Sequence, residues 1–579
     1  MGDRSPSWMI LLNNLKKIQL LGCDKCEGVP PLGHLPKLME LEIRGMDNLK
    51  CVGAEFYGYD LVHNVAMTSK EKITLFPALK VLRIVKCNNL IEWMEAPMMS
   101  TQKVVVFPCL EELDIKDCSK LRNVPSHFPS LQKLVIISCD SGTPIEEISS
   151  GLTTLTSLKI GGIKELTCFP KGILKNNNNL SSLVISSCDD LTCIASDVFS
   201  SCVSLAKLEI SNCKTLRHLA NGLDIPPLLE NLSIRWCPSL ELIPITHGMA
   251  SLRELVIEYC GRLSSIPSGL EYCTSLQKLD VQGCDGVTSF PFYTLACLRQ
   301  LSILFCDGLS GPLSVWASLM DLNIESCRNL TSIEIKGGVS SLQKLIIRHC
   351  EELSSLPALP PSLKELWISE CPKVAWFGVQ SNNISLQSFS DLRIFTSLRE
   401  LTIRKCEGLE SWVSGLQFPL SLERLAIEGF PNLEILPSLD NLTSLRYLSI
   451  GWFWEELDSF PDFQVGSLMH LTSLSLYGWP KLKSLPQQIQ HLTSLTYLGI
   501  DSFDGVETLP EWLGSLTSLT VLGIWYCKNL TNLPSVQAMQ RLTKLHTLAI
   551  YGCHPLLKQR CSRDNGTDWP KISHIPQIT

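Results

Sequence analysis

The sequence predicts an α/β repeat solenoid with a parallel inner sheet, and three observations carry that prediction. One phrase, L-x-x-L-x-I-x-x-C-x-x-L, returns along nearly all 579 residues. Successive copies mostly begin 21 to 26 residues apart. Many copies close on a proline four residues after the last leucine, as at Pro125, Pro267, Pro357, Pro437, Pro486 and Pro534, with Pro510 following Val506 in the same way.

Each part of the phrase has a structural task. The second leucine and the isoleucine alternate with polar residues, as in a short strand with one buried face. The remaining residues return the chain one strand further along, so successive strands lie parallel and no copy can bury its apolar edge alone. Proline has no N–H to give to a ladder, so it suits the route out of the strand. Twenty-two copies are present, with first leucines from Leu15 to Leu545. This is leucine-rich-repeat spacing and predicts a horseshoe of about 22 irregular repeats. At about 4.8 Å per strand the arc would be on the order of 100 Å long.

The period divides the chain. Residues 1–46 hold the first two repeats with no evident N-terminal cap, and 47–78 are an insertion containing GAEFYGYD. Repeats run over 79–371, a second irregular insertion spans 372–397 with SNNISLQSFSD, and repeats resume over 398–553. Residues 554–579 are expected to cap the C-terminal end, and both insertions are candidate contact loops. A solenoid end without a cap exposes an apolar cross-section, so the plain start predicts aggregation or dependence on an N-terminal partner.

Composition narrows the function. The chain is 45% hydrophobic and 18% charged, with net charge −7 and mean hydropathy +0.15. A protein that binds nucleic acid usually has a basic face, so nucleic acid is not expected as a ligand. No apolar run reaches the roughly 18 residues of a membrane span, and the start MGDRSPSWMILLNNLKK lacks the features of a signal peptide. Phosphate-loop, zinc-protease and nucleophile-elbow motifs do not occur. No cofactor, metal or catalytic residue is expected. His349 and His546 fall where a solvated histidine is ordinary.

Sixteen of the 25 cysteines occupy one repeat position. They include Cys118, Cys139, Cys188, Cys213, Cys237, Cys260, Cys284, Cys306, Cys327 and Cys350. The other six repeats place Met46, Ile163, Phe430, Phe453, Trp479 and Phe503 there, so the position faces inward. A small buried thiol that donates weakly to a backbone carbonyl fits it. Disulfides would need an oxidising compartment and some pairing scheme. Zinc needs four ligands, but the sole C-x-x-C, Cys23 with Cys26, has no second pair nearby. A catalytic cysteine would be singular. Structural thiols and a reducing compartment are therefore expected.

Strand residues between the leucine positions face the inner surface. In the last five repeats these are read as Tyr447, Trp452, Tyr477, Tyr497, Trp525, Tyr526 and Tyr551, separated by Gly451, Gly478, Gly499, Gly523 and Gly552. Aromatic clusters among small residues are what protein-binding hot spots use. They are also what shields a wide sheet by stacking across strands.

Three further stretches carry a resemblance. PSWM-x-x-LNNL from Pro6 runs into CDKCEGVPPLGHLPKL, ending at Leu38. The stretch from Ile43 to Gly58 contains MDNLK and VGAEFYG, with Glu55, Phe56 and Tyr57, and the tail reads CHPLLKQRC from Cys553 and DWPKISHIP from Asp568. These resemble the leucine-rich-repeat region of plant intracellular nucleotide-binding disease resistance proteins of the coiled-coil class, without their N-terminal coiled coil and nucleotide-binding domain. The resemblance implies a cytoplasmic recognition module in innate immunity. Its partners would be proteins: a pathogen effector, a guarded host protein or the missing nucleotide-binding switch module. A stand-alone intracellular adaptor or decoy is the alternative. An extracellular repeat receptor or inhibitor fits less well, because L-x-G-x-I-P is approached only at Leu309 to Leu313. Asn-x-Ser/Thr sequons, such as Asn179 and Asn329, arise readily in repeats of this composition.

Overall fold

The computed structural model describes residues 11–58, 73–97, 104–169, 174–194, 196–199, 202–219, 226–245, 249–267, 269–290, 295–336, 340–379, 392–433, 437–440, 442–453 and 468–579. Residues 1–10, the middle of the first insertion and SNNISLQSFSD lie outside them. The chain forms two compact units, Met1–Leu298 and Arg299–Thr579.

In the first unit, parallel strands follow one another from Lys17–Leu21 through Glu40–Arg44 to Lys278–Gln282. In the second they run from Gln300–Leu304 to Thr547–Tyr551. Each of the 22 predicted repeats supplies one five- to seven-residue strand. Pairing is in register, for example Leu345 beside Leu366 and Ile347 beside Ile368. The repeat leucines and isoleucines form the core, most of them with no exposed surface. Burying each such side chain contributes roughly 1.5–3 kcal/mol.

One feature of every turn carries no fixed residue type. The residue after the fifth strand position of each repeat has positive φ, from 49° at Lys405 to 77° at Gly429. It is glycine at Gly22, Gly45, Gly162, Gly283, Gly429, Gly478 and Gly552, and a side-chain-bearing residue such as Asp117, Asn212, Trp236 or Tyr526 in the other repeats. This left-handed bend points the N–H at the final strand carbonyl of the next turn, as in Asn212 N to Arg235 O at 2.8 Å and Tyr526 N to Tyr551 O at 2.8 Å. The ladder thus gains one more hydrogen bond as the chain leaves the sheet, which offsets the cost of the conformation.

The cysteine column follows directly. In most turns the thiol donates back over the bend to its own strand's last carbonyl, as in Cys350 to Arg348 O at 3.3 Å and Cys371 to Ser369 O at 3.2 Å. Cys118, Cys139, Cys188, Cys213, Cys237, Cys260, Cys284, Cys306, Cys327 and Cys350 are all buried. Burial pushes the thiols of Cys139, Cys260 and Cys327 up to about 12. In four consecutive turns the column changes to Phe430, Phe453, Trp479 and Phe503, whose rings touch at 5.7 to 6.4 Å between centroids.

What returns the chain differs from turn to turn. Where first leucines stand 21 to 23 residues apart, between Leu298 and Leu363, the return route is itself extended. Gly311–Trp316, Leu330–Lys336 and Ser355–Leu359 in these turns, with Trp376–Val379 in the 35-residue step that follows, make a second parallel sheet. Where the step is 24 to 26 residues, between Leu471 and Leu545, helices fit: 3-10 turns at Gln487–His491 and Glu511–Ser515, and an α-helix at Val536–Arg541. Ser535 caps that helix by accepting from Ala538 N at 3.2 Å and is itself held by Glu511.

The first insertion enters the core. Cys51–Val52 pairs with Glu92–Trp93, and the 3-10 turn Ala54–Tyr57 buries Phe56 and Tyr57. They join a chain of rings that includes Phe76, Phe107 and Phe128, and the Tyr57 hydroxyl donates to Met94 O at 2.7 Å. At the other end, the helices Pro555–Arg560 and Trp569–Ile572 cover the last turn. The strand Gln577–Ile578 then pairs with Thr547–Leu548.

Candidate protein-binding face

Strand residues between the leucine positions form three columns on the open face of the sheet. In the last five repeats the first column reads Tyr447, Ser473, Tyr497, Val521 and Thr547. The third reads Gly451, Tyr477, Asp501, Trp525 and Tyr551, and between them lie Ser449, Ser475, Gly499, Gly523 and Ala549.

Large residues in the outer columns lean over the small ones. A Cβ added at Gly523 would sit 2.0 Å from the Trp525 ring, and one at Gly499 would sit 3.0 Å from it. Ser449 and Ser475 are buried although they face away from the leucine core. Tyr447, Tyr477, Tyr497 and Trp525 are accordingly half-buried. Desolvation pushes the Tyr477 and Tyr497 hydroxyls up from their ordinary pKa. Arg424 lies over the Tyr447 ring at 4.2 Å.

Trp452 and Tyr526 stand elsewhere than the sequence suggested. They occupy the left-handed bend, with φ of 56° and 51°, rather than the strand face. Alternation cannot locate them, because the bend interrupts the two-residue period. Trp452 lies across Gly478 and Tyr526 across Gly552 in the following turn. Trp452 is 41% exposed, Tyr526 48% and Tyr551 64%. Tyr526 meets Tyr551 edge-on at 5.5 Å. The seven residues thus split into a packed group of four and an exposed group of three.

Other turns repeat parts of this arrangement. Trp236 and Tyr259, in successive bends of the first unit, stack at 3.8 Å. Trp367 lies between Arg348 at 4.2 Å and Arg404 at 5.5 Å. The charged residues around Arg399 to Lys405 are paired across turns: Arg399 with Glu423, Arg404 with Glu428 and Lys405 with Glu370. His349 meets Glu370 at 2.9 Å. Among the described residues no group of three or more His, Cys, Asp or Glu is placed to hold a metal ion. No described helix is long and apolar enough to cross a membrane.

Three families match parts of the chain. One described as a leucine-rich repeat region matches residues 398–564, one described as R13L1/DRL21 LRRs matches 1–46, and one described as a BspA type leucine rich repeat region matches 118–221. Among curated proteins, the Arabidopsis thaliana disease resistance protein RPP4 is 27% identical over 46% of this chain and 24% of its own length. The Arabidopsis thaliana putative disease resistance RPP13-like protein 1 is 30% identical over 28% of this chain and 12% of its own length. The chain is a leucine-rich-repeat solenoid that is similar to parts of plant disease resistance proteins. A putative disease resistance protein, RGA4 of Solanum bulbocastanum, adds 29% identity over 31% of this leucine-rich-repeat region and 17% of its own length. The chain therefore spans less than a quarter of the length of these relatives. A solved TLR13–ssRNA13 complex is similar over 98% of this repeat region and 85% of that chain, at 16% identity and TM-score 0.48.

Proposed function

We propose that this leucine-rich-repeat region is a protein-recognition module in plant innate immunity, which senses a pathogen effector or a guarded host protein through the aromatic end of its concave face. Trp452, Tyr526 and Tyr551 supply the first contacts. The packed residues Tyr447, Tyr477, Tyr497 and Trp525 form the rigid floor between them. The observation that carries this reading is the exposure of Tyr526 and Tyr551 as an edge-on pair, with Tyr526 lying across Gly552. Large, rigid aromatic side chains lose little entropy on binding and dominate interface energetics. Disease-resistance relatives support the setting. A cytoplasmic location accords with a core column of thiols that are not joined in disulfides. The module works by binding, without catalysis.

The test uses Tyr526→Ala and Tyr551→Ala together, expressed in plant cells in the native full-length protein with an effector panel. The double variant should lose effector-dependent association and response while melting like the wild type. Full retention of both would overturn the assignment of this surface.

A further inference from the structure

Two thiols outside the core column lie side by side on the surface. Cys168 is exposed and Cys193 partly exposed. A parallel bridge sets them opposite each other on adjacent turns, and their Sγ atoms are 2.9 Å apart. The backbone fixes that spacing. Thr192 N donates to Thr167 O at 2.9 Å, and the Thr192 hydroxyl donates to the same carbonyl at 3.0 Å. On the far side, Cys193–Ile194 is paired with His218–Leu219. The core thiols differ in kind. Cys188 and Cys213 are buried, and each is turned onto a backbone carbonyl at 3.5 Å.

Adjacent parallel strands stand about 4.8 Å apart, within the roughly 4.4–6.8 Å Cα separation that a disulfide spans. We propose that Cys168 and Cys193 form an oxidation site, which hydrogen peroxide closes to a disulfide between adjacent turns. One thiolate attacks a peroxide oxygen. The O–O bond breaks, hydroxide leaves and takes up a proton, and that sulfur becomes a sulfenic acid. The second thiolate attacks the sulfenic sulfur, the S–S bond forms and the S–O bond breaks, releasing a second water. Two thiols have lost two hydrogens and one peroxide has become two waters. A dithiol reductant reverses the reaction by exchange. Nothing in the strand ladder has to move far, so closure leaves the recognition face unchanged. The selectivity comes from access, because peroxide meets this pair in the native chain and not the buried column.

The full chain, reduced and then treated with a small excess of hydrogen peroxide, is unfolded, alkylated with N-ethylmaleimide and mapped by peptide mass. The expected product is a linked peptide pair joining Cys168 to Cys193, lighter by two hydrogens, unlabelled at both sites and restored by dithiothreitol. Cys188 and Cys213 should carry the full label. In Cys168→Ser the link disappears, and Cys193 becomes a sulfenic acid that dimedone traps. Separate labelling of Cys168 and Cys193 after peroxide, independent over-oxidation of each, or linkage of either to another cysteine would overturn the proposal. The wild-type map decides it even if the serine variant folds poorly.

Discussion

The indole of Trp452 lies against Gly478 of the next turn, so closely that a Cβ at 478 would come within 2.3 Å of the ring. Both residues sit in the left-handed bend, at φ 56° and 67°. The glycine therefore serves two purposes: it accepts the bend without strain and it leaves room for its neighbour's ring. Tyr526 over Gly552 repeats the relationship, with 2.6 Å to the nearest ring carbon.

Gly478→Ala should consequently cost about 1–3 kcal/mol, from the strained φ together with the displaced indole. In a Trp452→Ala background the same substitution should cost only the backbone part, about 1 kcal/mol. Urea unfolding of the four proteins in this cycle separates the two contributions. An equal cost in both backgrounds would mean that the ring contact has no energetic role.

Buried thiols make the fold sensitive to alkali. Cys139, Cys260 and Cys327 are held at about 12 by desolvation, whereas an unfolded cysteine ionises near about 8.5. These folded pKa values are raised. Stability is thus fully present below the unfolded pKa, and it falls as pH climbs from there toward 12. Each such thiol should remove about 1.4 kcal/mol per pH unit within that window. Tyr477 and Tyr497, also raised by burial, add to the fall at higher pH. Denaturant midpoints at pH 7, 9 and 10.5 should decline in order, and Cys260→Ala should flatten the slope by one thiol's share. A stability independent of pH over that range would contradict the argument.

The repeat arithmetic made most of the fold legible. Leu345 and Ile347 could be assigned to a buried strand edge because a two-residue alternation recurs at a fixed step. The bend was not legible, because Gly22, Lys86, Asp117, Trp236 and His349 share a backbone conformation and no chemistry. That is why Trp452 and Tyr526 looked like strand-face residues. Phe56 and Tyr57 read as part of an interrupting loop, since their burial depends on Phe76 and Phe107 in later turns. The division of the aromatic set into floor and exposed residues also escaped the sequence. It depends on which way each ring leans, and therefore on the size of the residue one turn away.

That division predicts different costs for two neighbouring substitutions. Trp525 covers Gly523 and Gly499, so Trp525→Ala uncovers sheet and should lose roughly 1–3 kcal/mol of burial. Tyr551 is 64% exposed, and Tyr551→Ala should change stability by no more than about 0.5 kcal/mol. Thermal melts of the two single variants check this directly. Similar losses for both would mean that Tyr551 also packs, and that its removal is no clean probe of recognition.

Asp568 secures the end of the second unit. Its carboxylate is almost wholly buried and takes Arg560 Nη2 at 3.1 Å and Lys571 Nζ at 3.2 Å on one oxygen. Arg560 continues to Asn532 Oδ1 at 2.6 Å, and Lys571 reaches Leu533 O at 3.3 Å, so the group ties both terminal helices to the preceding turn. Asp568→Ala leaves two cations facing each other without a counter-charge. Because Arg560 keeps some contact with water, the cost should be roughly 2–3 kcal/mol, below that of a fully buried pair. Asp568→Asn, which keeps a hydrogen-bond acceptor but not the charge, should fall between. Loosening the helices releases the strand behind them, where Ile550 N donates to Thr579 O and Thr579 N to Leu548 O. Hydrogen exchange should therefore lose protection at Ile550 and Thr579 first, while Leu345 and Ile347, many turns away, keep theirs. Uniform loss of protection along the second unit would show instead that its turns unfold together and that this end group governs all of them.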